Sequence, residues 1–272
     1  MNADLQRRVQ RYGWDRAEPF YEDAWKAQLA PAHELLLSHA ALKPGERVLD
    51  VACGTGLVTF PAAEAVGPLG VVLGTDLSDQ MVGRVTAEAE RRGLRHVTGM
   101  RMGAEALDVP DGLFDAVLCG LGMMYFPDPL QSLLEMCRVL KPGSRAVAAV
   151  WGHSDRCGWA GIFPVVAERV RTDVCPLFFD LGTGDTLAAL FADAGFERVT
   201  TDRISTTLRY ASATAAVRAA FAGGPVAMAY ARFDEATRID AEAAYLDTIS
   251  AFRTGDGYAI PGEFVVVRGD KR

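Results

Sequence analysis

The stretch Val48-Leu49-Asp50-Val51-Ala52-Cys53-Gly54-Thr55-Gly56 decides how this chain is read. Its first half is a short apolar run, the mark of a buried strand. Two glycines one residue apart follow, and then a helical stretch from Leu57 to Val66. Glycine suits such a place because the backbone must turn sharply and let a ligand approach with no Cβ in the way. The helix behind it offers unpaired N–H groups and the positive end of its dipole. At the carboxyl end of a parallel strand, such a turn lies where open α/β sheets bind ligands.

What the turn lacks narrows the ligand. A phosphate loop needs a lysine after its glycines, and none follows. A dinucleotide fingerprint needs a third glycine where Thr59 stands. Asp50 is an acid inside the turn; it would repel a pyrophosphate and suits a positive amino group. Asp76 closes the next strand, where a carboxylate can accept from both hydroxyls of a ribose. Together the two acids describe a nucleoside carrying an amino-acid tail.

Outward from the turn, strand and helix signals alternate. Val71 to Thr75 is strand-like; Ser78 is a good N-cap for a helix through Arg92, and Gly93 a good stop. Val97 to Met102 and Phe114 to Cys119 read as further strands. Leu130 to Leu140 is an amphipathic helix, closed by a turn at Lys141-Pro142-Gly143 before a fully apolar strand, Arg145 to Trp151. Strands buried on both faces and separated by helices indicate a parallel sheet covered on both sides. Before the turn, Glu22 to Ala40 has helical spacing, and Pro31 is expected to divide it into two helices. After Trp151, helices are expected over Gly158–Arg171, Asp185–Ala194, Ala211–Phe221 and Asp234–Arg253, and strands over Phe196–Leu208 and Gly262–Gly269.

These residues resemble the class I S-adenosylmethionine-dependent methyltransferases. VLDVACGTG is similar to their first motif and GTDLSDQM to their second; FDAVLCGLGMMYFPDP resembles the fourth-strand motif, and EMCRVLKPGSRAVAAVW the helix, turn and fifth strand after it. The branch most similar is the one containing the ubiquinone and menaquinone biosynthesis (type 11) methyltransferases. The resemblance is strong over residues 42–151 and holds in outline elsewhere. It implies an α/β fold: a Rossmann-like three-layer sandwich with a seven-stranded, mostly parallel sheet whose last strand is antiparallel, and inserted helices forming a lid. Residues 1–272 would be a single domain, with a helical cap over 1–40, a cofactor-binding half over 42–151, and sheet completion with lid insertions over 152–272.

The cofactor implied is S-adenosyl-L-methionine. Asp50, Gly54 and Gly56 would line its methionine moiety, with Ala52 and Thr55 in the same turn. Asp76 would hold the ribose, Leu77 and Met81 would pack on the adenine, Ala104 and Glu105 would sit at its edge, and Cys119 and Leu121 would border the sulfonium. One departure stands out: the family often has an acid where Gly103 stands, so Glu105 or a backbone carbonyl is expected to substitute.

The acceptor side is read from residue chemistry. His153, Tyr125, Tyr21 and Glu22 are candidate bases; a structural role is the competing reading of His153. Trp25, Met123 and Trp159 are candidate substrate contacts, with core packing the alternative for Met123 and a staple to the core the alternative for Tyr21 and Trp25. Cys53 and Cys119 fit small side chains inside the motif better than nucleophiles. The many aromatic residues outside 42–151 point to an enclosed apolar pocket and a small-molecule acceptor with an O, N or C nucleophile. A protein that binds the cofactor without methyl transfer is the competing function.

Composition bounds the rest. Lys and Arg number 28 against 35 Asp and Glu, a formal net charge of −7, which disfavours a phosphate-coating surface and hence nucleic acid. The five cysteines, Cys53, Cys119, Cys137, Cys157 and Cys175, form no CxxC and no zinc spacing, so no metal is expected and free thiols are. No secretory leader or membrane span is read, and the expected location is the cytoplasm. The helices of the second half suit a lid or a homodimer interface.

Overall fold

The computed structural model describes residues 3–170 and 178–272. Five parallel strands carry the first half: β1 (Arg47–Val51), β2 (Val71–Asp76), β3 (Val97–Arg101), β4 (Phe114–Gly120) and β5 (Leu140–Trp151). The second half adds β6 (Phe196–Tyr210), a two-residue β7 (Arg253–Thr254) and β8 (Gly257–Lys271). The order is β3-β2-β1-β4-β5-β8-β6, with β8 antiparallel to both its neighbours and β7 folded back on β8 as a hairpin. The expected seven strands are therefore present, the last antiparallel, plus one short extra strand. The strand order reverses between β1 and β4, and ligand crevices open at such a switch point.

Helices α1 (Ala3–Ala40), α2 (Thr59–Val66), α3 (Asp79–Arg92), α4 (Pro129–Val139), α5 (Ile162–Ala167), α6 (Thr186–Asp193), α7 (Ala213–Val217), α8 (Ala227–Tyr230) and α9 (Glu235–Thr248) complete the fold. Ser78 caps α3 by accepting the N–H of Met81, and Gly93 ends it at φ +67°. Among the described residues, no helix is long and apolar enough to cross a membrane.

Three expectations are corrected. Pro31 does not divide α1, which runs unbroken through Pro19 and Pro31. A helix-interior proline costs about 3 kcal/mol, but α1 lies on β4, β5, β6 and β8 and buries Trp25, Leu29, Ala32, Leu36 and Ala40. At about 2 kcal/mol for each large apolar side chain, Trp25, Leu29 and Leu36 together offset the cost of the two prolines. Second, Lys141-Pro142-Gly143 does not separate α4 from its strand but lies inside β5, where the register against β4 shifts between Phe114 and Ala116. Third, the helix expected over Gly158–Arg171 shortens to α5. Gly158 and Gly161 pass so close to Phe252 and Thr248 that a Cβ would sit 2.6 and 2.7 Å from them, and the chain takes turns there instead. Arg171 and Cys175 lie outside the described residues. The other four cysteines are free thiols.

Candidate active site

The glycine turn leaves β1 through three left-handed residues, Ala52, Gly54 and Gly56, at φ +57°, +53° and +94°. At Gly56 the requirement is double, because a Cβ would lie 2.4 Å from the ring of Phe60. Ala52 and Leu121 are the non-glycine residues that carry a left-handed backbone at the ends of β1 and β4. The two ends nearly touch: a Cβ on Gly122 would lie 2.4 Å from the Cβ of Ala52.

Beyond β2, half-buried Asp76 is held by the turn it faces. One carboxylate oxygen accepts the N–H of Gly54 at 3.0 Å, and the other accepts that of Ser78 at 2.9 Å. Burial pushes its carboxyl up to about 6, against the pull of these N–H donors. Asp50 is fully buried beneath the turn. Thr59 donates its hydroxyl to one oxygen at 2.6 Å, and the other oxygen has no partner. Burial pushes this carboxyl up to about 7. The Thr55 hydroxyl beside it is likewise buried and unpaired. A carboxylate with an open oxygen, set behind a second acid, suits a ligand that brings a cation and adjacent hydroxyls. S-adenosylmethionine fits that donor set.

A crevice of about 90 Å³ opens over this turn. Among the residues expected at the cofactor, Ala52, Gly54, Asp76, Leu77, Met81, Ala104, Glu105 and Leu121 line it. Asp50, Thr55, Gly56 and Cys119 do not; they form the packed layer beneath. Burial pushes the Cys119 thiol up to about 12, which leaves it a neutral core side chain. The Glu105 carboxylate lies 3.8 Å from where a side chain on Gly103 would begin, so it occupies the ground that an acid at 103 would use. Arg7 of α1 reaches the same carboxylate at 3.4 Å.

The roof is aromatic. Trp14 meets Tyr21 and Tyr125 edge-on at 5.7 and 5.1 Å, and Tyr125 meets Phe178 at 5.5 Å. Deeper in, Trp25, Trp151 and Trp159 form a triangle with centroids 4.8–6.1 Å apart. The Trp159 indole N–H is buried without a partner. Tyr21, Tyr125, Trp25 and Trp159 all line the crevice. Met123 does not; it is fully buried core. Glu22 does not line the crevice either. His153 is placed elsewhere: its Nδ1 accepts the N–H of Asp155 at 3.1 Å, capping a surface turn, with 43% of the side chain exposed.

Sequence reasoning missed several crevice residues. Gln10 and Trp14 share a face of α1 with Tyr21 and Trp25, a spacing visible once the stretch is taken as one helix. Gly224 and Pro225, between the helices expected over Ala211–Phe221 and Asp234–Arg253, also line the crevice. His33 stands on α1 rather than after a strand. Its ring lies 3.4 Å from where a Cβ on Gly120 would sit, at the carboxyl end of β4, and burial lowers its pKa to about 4.

The comparisons agree with this geometry. The model of the ubiE/COQ5 methyltransferase family matches residues 26–155. A demethylmenaquinone methyltransferase of Lysinibacillus sphaericus is 34% identical over 178 residues, covering 60% of this chain and 75% of that protein. A nocamycin O-methyltransferase of Saccharothrix syringae is 38% identical over 133 residues, covering 48% of this chain and 47% of that protein. Among solved structures, a putative methyltransferase from Bacillus halodurans superposes with a TM-score of 0.60 at 21% identity, covering 88% of this chain and 98% of that one.

Proposed function

The chain belongs to the ubiE/COQ5 methyltransferase family, an S-adenosylmethionine-dependent group, and from that premise we propose that it methylates an O, N or C nucleophile of a small, uncharged organic acceptor such as a phenol, quinone precursor or secondary metabolite. The observation that carries this reading is the aromatic roof closing directly over the acid-and-glycine crevice. Enclosed, mostly apolar sites take small molecules, with a few polar groups fixing orientation.

The cofactor supplies an electrophilic methyl on a sulfonium whose departing thioether is neutral. The protein's task is then alignment and the exclusion of water. Asp76 would accept hydrogen bonds from the ribose hydroxyls, and Leu77, Met81 and Met102 would pack on the adenine, with Glu105 at its edge. Asp50, one layer beneath the crevice, would act on the positive charge of the methionine end through its field rather than by contact. Tyr21 stays protonated, because burial and the charge of Asp76 raise its phenol well above its ordinary range. A phenol held protonated there can donate a hydrogen bond into the crevice. Among the described lining residues, the remaining ionisable groups are Tyr125, Asp76 and Glu105. Acceptors that ionise readily by themselves, phenols and enols, suit such a site best.

The test is methyl transfer from radiolabelled S-adenosylmethionine to a panel of monocyclic and bicyclic phenols, with histone and RNA as macromolecular controls. Label appearing in the phenols supports the reading. Label appearing only in protein or RNA overturns it.

A further inference from the structure

Helix α1 is held differently along its length. From Trp25 onward it buries Trp25, Leu29, Ala32, Leu36 and Ala40, whereas its first half buries Gln6, Gln10 and Ala17. That first half nonetheless walls the crevice with Gln10 and Trp14, and a second chamber of about 490 Å³ beside it with Val9 and Gly13. With no large apolar side chain fully buried, its placement depends on polar contacts.

Those contacts form one row. Arg7, Arg11, Asp15 and Glu18 follow at intervals of four, four and three residues, the spacing of a single helix face. Each meets the rim of the crevice: Arg7 meets Glu105 at 3.4 Å, Arg11 meets Asp79, Asp15 accepts from Ser78 and Gln80 at 2.6 and 3.2 Å, and Glu18 meets Arg84 at 3.9 Å. The three ion pairs each have a partner open to water, and such pairs contribute little. Asp15 differs, because its carboxylate takes the hydroxyl proton of a fully buried serine.

Ser78 is the hinge point of the ribose rim. Its N–H donates to Asp76 at 2.9 Å, and its hydroxyl oxygen accepts the N–H of Met81 at 3.1 Å. A serine hydroxyl has one proton to give. With that proton on Asp15, a lone pair is left for Met81, and the Asp76 oxygens are left to the N–H groups of Gly54 and Ser78 and to the ligand. Asp15 is also a second negative charge near Asp76 and pushes its carboxyl up. The other charged groups at this junction are Arg11 and Glu18 on α1 and Asp79 and Arg84 on α3.

We propose that Asp15 is a positioning residue for the cofactor: through the Ser78 hydroxyl it fixes the loop that carries Asp76 and ties the first half of α1, the wall of the acceptor space, to that loop. The proposal rests on the methyltransferase reading above and adds a residue that reaches the ribose acid only through another side chain.

The test is hydrogen exchange and calorimetry on the full chain, comparing the parent with Asp15→Ala, Asp15→Asn and Glu18→Gln. Without ligand, Asp15→Ala should speed exchange at least tenfold in residues 3–18 and leave residues 25–40 of the same helix unchanged. At pH 8 it should bind S-adenosylhomocysteine at least tenfold more weakly, and S-adenosylmethionine weaker by the same factor, because placing Asp76 does not depend on the sulfonium charge. Asp15→Asn keeps an oxygen for Ser78 and should recover most of that affinity at pH 8. With one negative charge fewer beside Asp76, its affinity should also persist to lower pH than the parent's. Glu18→Gln, on the same face but away from Ser78, should match the parent throughout. Parent-like exchange or affinity in Asp15→Ala, a loss confined to S-adenosylmethionine, or an Asp15→Asn profile that falls at the parent's pH or above it, overturns the proposal. Faster exchange spread over the whole helix and the sheet marks a merely structural role and overturns it as well. The two readings fail separately. If the parent binds neither cofactor form, the methyltransferase reading falls. If the parent binds both and Asp15→Ala binds them equally well, the role of Asp15 falls and the function stands.

Discussion

The two sides of the site are built in opposite ways. Below, at the sheet edge, positions are set by backbone: left-handed Ala52, Gly54, Gly56 and Leu121, and N–H groups of Gly54 and Ser78 aimed at Asp76. Above, α1 and the lid are held by ring against ring, through Trp14, Trp25, Trp159 and Phe178. The lower side can change little without losing its turn. The upper side can exchange one apolar side chain for another and keep its packing. A family with one cofactor and many acceptors is what such a division permits.

If the division is real, a change above should cost stability and a change below should cost cofactor affinity. The largest effect is expected from Trp159→Ala, which empties a fully buried ring position and should destabilise the fold by about 3–5 kcal/mol in urea titrations. Trp159→Phe should cost far less, since it keeps a ring and removes an unpaired N–H. Asp76→Ala should leave the fold standing and weaken S-adenosylhomocysteine by about 3 kcal/mol, over a hundredfold, because charge-assisted hydrogen bonds are lost. Calorimetry checks it; unchanged affinity would move the cofactor elsewhere.

Proton linkage gives the next sizes. The ionised form of Asp76 is the better hydroxyl acceptor, and its carboxyl titrates at about 6. Cofactor affinity should hold above pH 7 and fall by up to about tenfold per unit as pH drops through 6, a slope that Asp76→Asn should flatten. Asp50 acts on the fold itself. Its folded carboxyl titrates at about 7, above its ordinary 3.8, so folding favours the protonated form. That contribution is complete below about pH 4 and is lost as pH rises through 7. Asp50→Asn should therefore gain in Tm relative to the parent between pH 6 and 8, while binding S-adenosylhomocysteine less tightly. The smallest effect belongs to Arg7→Ala. Its pairing with Glu105 is one-third exposed on the arginine side and should be worth less than about 1 kcal/mol. Stopped-flow binding should show faster cofactor entry with little change in Kd.

The lower side was legible in the sequence because its chemistry is local. A strand, two glycines and two acids at strand ends specify the crevice within thirty residues, and the Ser78 and Gly93 caps sit where cap chemistry places them. Even there, burial depth was not legible. Asp50 and Cys119 lie a layer below the surface they were expected to line, since a strand pattern does not say which of its residues the turn will cover. The upper side depends on contacts between residues far apart in sequence. His153 looked well placed by its position after β5 but turned outward to cap its own turn. Gln10 and Trp14 were missed because the helical spacing was read only from Glu22, whereas α1 begins at Ala3.

The unbroken α1 has one more consequence. Gln10 and Trp14 wall both chambers, with Tyr21 and Trp25 on the crevice side and Val9 and Gly13 on the other. A stiff rod shared by two chambers makes their occupancies a linked pair. Any displacement of the rod favoured by one ligand changes the affinity of the other, and by the same factor in both directions.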